Sequence, residues 1–243
     1  MITAGRSAVV ALAWLLAMAL VPAGAQNTAS IPSATVNAGE VLFEYRASYG
    51  TNNNGADDIF SHRIHANYAP TDDLRLMAFI EQRRRGDGSY VFRRLSPNVF
   101  TQFVQTENWD LAVRWQGDIP FEDGAPGRAR LGLLNTWRFG DLELRSNIYF
   151  GREIGRNAPD GYLFEMREEA ALRVSPAVQI GAQVFNNFVS TKMSDDFDLQ
   201  RHQAGPFLRT RTGKSLRLEA GLLFGVSAAS PDVEPRLFAG YSF

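Results

Sequence analysis

The chain has 243 residues, 25 of them basic, 26 acidic and 3 histidine, for a formal net charge of −1. That balance leaves no electrostatic footprint for nucleic acid, and the absence of cysteine excludes disulfides and thiolate metal sites. Only Lys192 and Lys214 are lysine; every other basic residue is arginine, the cation suited to fixed hydrogen-bonded arrays and to carboxylate or phosphate recognition.

Residues 1–25 read as a signal peptide: Arg6 supplies a positive start, Ala8 to Val21 is apolar, and Ala23-Gly24-Ala25 is a small-residue cleavage site. The apolar run is short for a transmembrane anchor, the weaker alternative. Residues 26–38, containing Ser, Thr and Asn, read as a short segment outside the folded domain, which spans 39–243. Beyond residue 25 no apolar run approaches the length of a membrane-spanning helix. Hydrophobicity comes instead in short alternating segments, about twelve of them, separated by Gly, Asn, Asp and Pro clusters.

The segment 40–49 places Val41, Phe43, Tyr45, Ala47 and Tyr49 on one face and Glu44, Arg46 and Ser48 on the other, because strand side chains alternate with period two. Asn52-Asn53-Asn54-Gly55 turns it. Segment 59–69 sets Phe60, Ile64, Ala66 and Tyr68 against Ser61, Arg63, His65 and Asn67, and 74–83 sets Leu74, Leu76, Ala78 and Ile80 against Arg75, Met77, Phe79 and Glu81. The same scheme recurs at 109–117, 128–138, 142–150 and 216–226. In 162–174 it puts Glu168 on the apolar face, which calls for a bulge or a position near a rim. Segments 90–105, with Pro97 and Arg93-Arg94, and 199–211, with Pro206, have no readable phase.

Connections alternate in length, short at 70–73, 106–108, 139–141, 175–177 and 212–215, longer between. That asymmetry and the alternation predict an all-β fold, a transmembrane antiparallel up-and-down β-barrel of about twelve strands. A soluble β-sandwich also alternates. Energetics choose the outward face: an arginine in hydrocarbon near the midplane costs roughly 2–4 kcal/mol, so the apolar sides face out. An even strand count puts both termini on the short-turn side, which makes 26–38 a periplasmic segment.

The last strand alternates to the end: Pro235, Leu237, Ala239, Tyr241 and Phe243 lie opposite Glu234, Arg236, Phe238, Gly240 and Ser242. It resembles the closing strand of Gram-negative outer-membrane barrels. The resemblance implies that Tyr241 and Phe243 form an assembly signal read by the barrel-insertion machinery, in a membrane of lipid and lipopolysaccharide. In size, layout, the terminal Tyr241-Ser242-Phe243 and inward arginines, the chain also resembles the small oligosaccharide-specific porins of the oligogalacturonate type.

Inward positions include Glu44, Arg46, Arg63, His65, Arg75, Glu81, Arg114, Arg130, Glu143, Arg145, Arg167, Arg173, Arg217, Glu219 and Arg236. An arginine-rich wall attracts anions, whereas interleaved Glu and Arg can also neutralise one another as a stiffening ladder. The expected function is a passive porin-like channel for small hydrophilic solutes; the arginines point to anions and the glutamates leave that open. The alternatives are an outer-membrane lipid hydrolase and a non-conducting structural barrel. For a hydrolase only His62, His65 and His202 are available, and Ser61 and His62, adjacent on a strand, point to opposite faces. No HExxH motif or EF-hand loop is present, Asp195, Asp196 and Asp198 read as a solvated turn, and no cofactor or metal is expected.

Overall fold

A computed structural model describes residues 28–52, 57–192, 196–213 and 215–243. The leader 1–25, residues Asn53 to Gly55 of the first turn, and Asp195 lie outside the described residues. Twelve strands form one closed antiparallel barrel. In chain order they are β1 (Val41–Gly50), β2 (Ile59–Tyr68), β3 (Leu74–Arg85), β4 (Val91–Gln105), β5 (Trp109–Pro120) and β6 (Gly127–Phe139). They continue with β7 (Leu142–Ile154), β8 (Leu163–Ser175), β9 (Val178–Ser190), β10 (Arg201–Thr212), β11 (Leu216–Gly225) and β12 (Val233–Ser242). Each strand pairs with its sequence neighbours, and β1 pairs with β12 to close the sheet. Both ends of the barrel domain therefore lie at the short-turn rim.

The alternating faces fall as the hydrophobic pattern requires. Ile64, Trp115, Leu133, Phe150, Leu172 and Phe224 are exposed on the outside, while Glu44, Arg63, Glu81, Arg114, Arg167 and Arg236 are buried on the inside. An apolar surface that encircles the whole sheet needs hydrocarbon around it, which excludes the soluble sandwich. No described helix is long and apolar enough to cross a membrane; the crossing elements are strands.

The two segments without a readable phase owe that to ladder irregularities. In β4 the register to β3 shifts between Glu81 and Gln82, and Arg94, Ser96, Asn98, Phe100 and Gln102 then face inward. Pro97 sits where the β4–β5 ladder lapses between Leu95 and Asn98. Pro206 sits in the same kind of lapse, between Ala204 and Phe207 on the β10–β11 side. Proline has no N–H to donate, so a gap in the ladder is where a strand tolerates it.

Glu168 departs from expectation. It remains on the outward face at mid-strand, paired with Ser146 in register, and the bulges of β8 lie elsewhere, near Leu163 and Arg173. Its carboxylate is relieved by the Ser146 hydroxyl, which donates to it at 3.0 Å.

Residues 28–36 also depart from expectation. They do not hang below the barrel but run up inside it: Thr28, Ile31, Ala34 and Val36 are each no more than 1 % exposed. Ala34 joins an interior apolar cluster with Met77, Phe79, Phe100, Ala112, Leu134 and Tyr149, and Ile31 packs with Phe185 and Leu223.

Two substitutions on the outer face test its assignment. Leu133→Arg is expected to destabilise the folded barrel by about 2–4 kcal/mol, and Glu168→Leu to stabilise it. Reversible guanidinium unfolding in lipid vesicles measures both.

Candidate functional site

The inward faces enclose a cavity of about 660 Å³ lined by sixteen arginines and six glutamates. Glu44, Arg46, Arg63, His65, Arg75, Glu81, Arg114, Arg130, Glu143, Arg145, Arg167, Arg217 and Glu219 all border it. Arg236 shares the inward face but is covered, with its guanidinium over the Phe185 and Phe238 rings at 4.8 and 4.7 Å. Arg173 lies exposed at the short-turn rim.

The charges are organised in clusters rather than in a uniform ring. Glu81 accepts from Arg63 and Arg94, each at 2.7 Å, and Arg94 reaches on to Asp118 at 3.2 Å. Asp118 is fixed further by the Ser96 hydroxyl and the Gln116 amide, both donating at 2.6 Å. Glu165 holds Arg130 at 2.7 Å and Arg167 at 2.5 Å. Further along β8, Glu169 accepts from Arg209 at 3.0 Å, Arg209 also reaches Glu219 at 2.8 Å, and Arg145 reaches Glu169 at 3.2 Å. Glu44 joins Arg46 and Arg217. These bonds are charge-assisted, and the arginine fork lets one guanidinium serve two carboxylates.

Arg75 and Arg114 are held differently. Among the described residues no carboxylate lies within ion-pair range of Arg75 or Arg114. Arg114 donates to Asn98 Oδ1 at 2.9 and 2.8 Å. Arg75 donates to the main-chain carbonyls of Ser33 and Thr35 at 3.2 and 3.4 Å and lies over the Phe100 ring at 4.1 Å.

Aromatic rings form the second interior set, and the sequence analysis did not place them at the site. Phe79 carries Arg63 at 4.7 Å, Tyr149 carries Arg167 at 4.6 Å, and Phe207 carries Arg209 at 4.8 Å. Such faces hold a guanidinium without cancelling its charge. The glycine opposite Tyr149 makes the space for its ring, since a Cβ on Gly132 would stand 2.5 Å from it. The signal for these rings was present in Phe79, which alternates in phase with Arg75 and Glu81.

His65 is 1 % exposed, stacks on Phe79 at 4.8 Å, and has no hydrogen-bond partner on either ring nitrogen. His62 lies on the outside among Tyr45, Phe60 and Tyr90. His202 is also outward, stacked on Phe197, with Nδ1 2.8 Å from Asn186 Oδ1 and Nε2 2.8 Å from Gln200 Oε1. The nearby Ser227 and Ser230 hydroxyls bind the His202 main chain, not its ring. Among the described residues no group of His and acidic side chains is spaced to hold a metal, and Asp196 serves instead to cap the short turn at Phe197–Leu199.

The fold defines a class: a closed twelve-stranded antiparallel β-barrel whose strands cross the membrane. No protein-family model and no curated protein sequence matches the chain. Solved structures do. An outer membrane channel from Pseudomonas putida F1 superposes with a TM-score of 0.65 at 11 % identity, over 90 % of this chain and 100 % of that one. The NanC porin gives 0.61 at 10 % identity, over 83 % and 98 %, and the KdgM porin 0.57 at 11 %, over 84 % and 99 %. The KdgM porin is also known in complex with disordered oligogalacturonate. At these identities the likeness is one of fold, and the fold is that of small outer-membrane porins.

The clusters differ in how much they hold. Glu81→Ala leaves the buried Arg63 guanidinium without a carboxylate and takes one of two from Arg94, and is expected to cost about 3 kcal/mol or more. Glu122→Ala removes only the partly exposed partner of Arg93 and is expected to cost less than about 1 kcal/mol. Paired guanidinium titrations of the two variants check the contrast.

Proposed function

We propose that this chain is a passive channel in the outer membrane of a Gram-negative bacterium, admitting small hydrophilic solutes and favouring anions. The observation that carries this reading is the excess of arginine over glutamate on a cavity enclosed by a membrane-facing barrel. Low-dielectric walls focus such a field into the bore. The solved porins of the same fold support the channel class. In this reading the leader at 1–25 directs export, the long loops face outward, and the termini face the periplasm. The apolar exterior meets lipid and lipopolysaccharide.

Tyr241 and Phe243 would serve as the signal for the barrel-insertion machinery. Their rings touch at 4.9 Å, Phe243 is 76 % exposed, and it lies against Phe43 beside the closing seam. An exposed ring at that seam is available to an assembly partner. Deleting Phe243 is expected to slow machinery-assisted insertion into vesicles while leaving detergent refolding unchanged, as followed by heat-modifiable gel mobility.

Catalysis has little support, since both ring nitrogens of His202 are engaged by amides and no hydroxyl addresses them among the described residues. The non-conducting barrel has one observation in its favour, the chain segment inside the lumen.

Bilayer recording separates the readings. Discrete steps are expected, with a reversal potential in a KCl gradient that favours chloride. Arg85→Glu combined with Arg201→Glu, both bordering the cavity, is expected to reduce the anion-to-cation permeability ratio roughly twofold. Unchanged selectivity would remove the arginine field as its cause.

A further inference from the structure

Residues 28–36 run through the lumen without belonging to the sheet, and Ala29, Ser30, Pro32, Ser33 and Thr35 border the cavity. They enter from the short-turn rim, where Gly39 N donates to Ala69 O at 2.8 Å, and climb past mid-depth. Their main-chain carbonyls are taken up one after another by the barrel wall. Arg236 donates to Ala29 O, Arg167 to Ser30 O at 3.3 Å, Arg145 to Ile31 O at 2.8 Å, and Asn147 to Pro32 O at 3.0 Å. Arg75 completes the series at Ser33 and Thr35.

These contacts come from β3, β7, β8 and β12, so the segment is held from around the bore rather than laid against one wall. Its own N–H groups are met too, Ala34 N by Thr136 Oγ1 at 2.9 Å and Val36 N by Gln102 Oε1 at 2.7 Å. A solute crossing this level would pass the same arginines.

The attachment is also of a releasable kind. Residues 28–37 contain no charged side chain, so no ion pair fixes them. Almost all the bonds to the wall are made by side chains, several of them long arginines that can turn to another acceptor, and no strand ladder has to break. The segment joins β1 through Gly39, which has φ +79° and open space around the position of a Cβ. That residue type at that φ gives the junction conformational freedom.

We propose that residues 28–36 are a resident plug: an internal pseudo-ligand that occupies the lumen arginines at rest and must withdraw about Gly39 for solutes to pass. The proposal rests on the channel reading above, and it names the step that gates that channel.

A reversible tether tests it in the full chain. The hydroxyls of Ser33 and Thr136 are 3.2 Å apart, and the sequence contains no cysteine, so Ser33→Cys with Thr136→Cys offers a single possible disulfide. Molecular oxygen with copper–phenanthroline as catalyst takes one hydrogen from each thiol as the S–S bond forms, and dithiothreitol reverses it. Oxidation is expected to lower bilayer conductance roughly tenfold by depopulating the withdrawn state, and reduction to restore it. Ser33→Cys alone under the same oxidant should not change.

Ile31→Asn leaves the barrel wall untouched but removes the side chain packed on Phe185 and Leu223. It is expected to raise the time-averaged conductance roughly threefold. Equal conductance in bridged and reduced protein, with the bridge confirmed by mass spectrometry, would overturn the plug and leave the channel standing. Silence from all of these variants, each shown folded by heat-modifiable mobility, would overturn the channel and the plug with it.

Discussion

The seam between β1 and β12 is the constraint on which the rest of the molecule depends. Seven residue pairs, from Leu42–Ser242 to Ser48–Arg236, join the first strand to the last. The terminal residue adds Phe243 N to Val41 O at 3.0 Å. In hydrocarbon an unpaired N–H or C=O costs several kcal/mol and has no water to turn to. An open twelve-stranded sheet would carry two such edges. Closing it removes both, and only then can the outward face be apolar from rim to rim. Period-two alternation passes the consequence inward, because most charged strand residues, Glu168 excepted, are turned into the bore.

Confining that many guanidinium groups has to be offset locally. Three kinds of acceptor share the task. Carboxylates do so in the Glu81, Glu165 and Glu169–Glu219 clusters. Aromatic faces such as Phe100 and Tyr149 support Arg75 and Arg167. The third is the peptide backbone of residues 29–33, which engages Arg75, Arg145, Arg167 and Arg236. The near absence of lysine follows from this. A compact ammonium on a flexible stem would serve poorly where one cation must bridge two oxygens and lie flat on a ring.

Much of the fold was legible because alternation is a local property and the membrane makes errors in phase expensive. The faces of β1, β2, β3, β6, β7 and β11 follow directly from their apolar residues. Legibility failed where neighbouring strands, not the strand itself, decide the geometry. Pro97 and Pro206 become strand residues only because the adjoining ladder lapses beside them. Glu168 can stay outward only because Ser146 stands opposite it across the β7–β8 pair.

The interior was legible as charge and missed as shape. Inward arginines announce themselves, but Tyr149, Phe185 and Leu223 read as ordinary apolar residues until the bore around them is known. The stretch 28–36 was the hardest to read. It carries Pro32, no charge and no extended alternation, which is also what a linker looks like.

That choice of occupant has an electrostatic corollary. Carbonyl oxygens satisfy the hydrogen-bonding of a guanidinium but carry no formal charge, so in the proposed resting form they would leave the arginine charge uncancelled. In the channel proposed above, an anion at the mouth would still meet an attractive interior with the segment in place. On arrival it would offer the arginines ionic acceptors in place of neutral ones, and those form the stronger bonds. Occupied and vacant forms would thus draw the same class of visitor, and the peptide thread would yield most readily to the species the wall prefers.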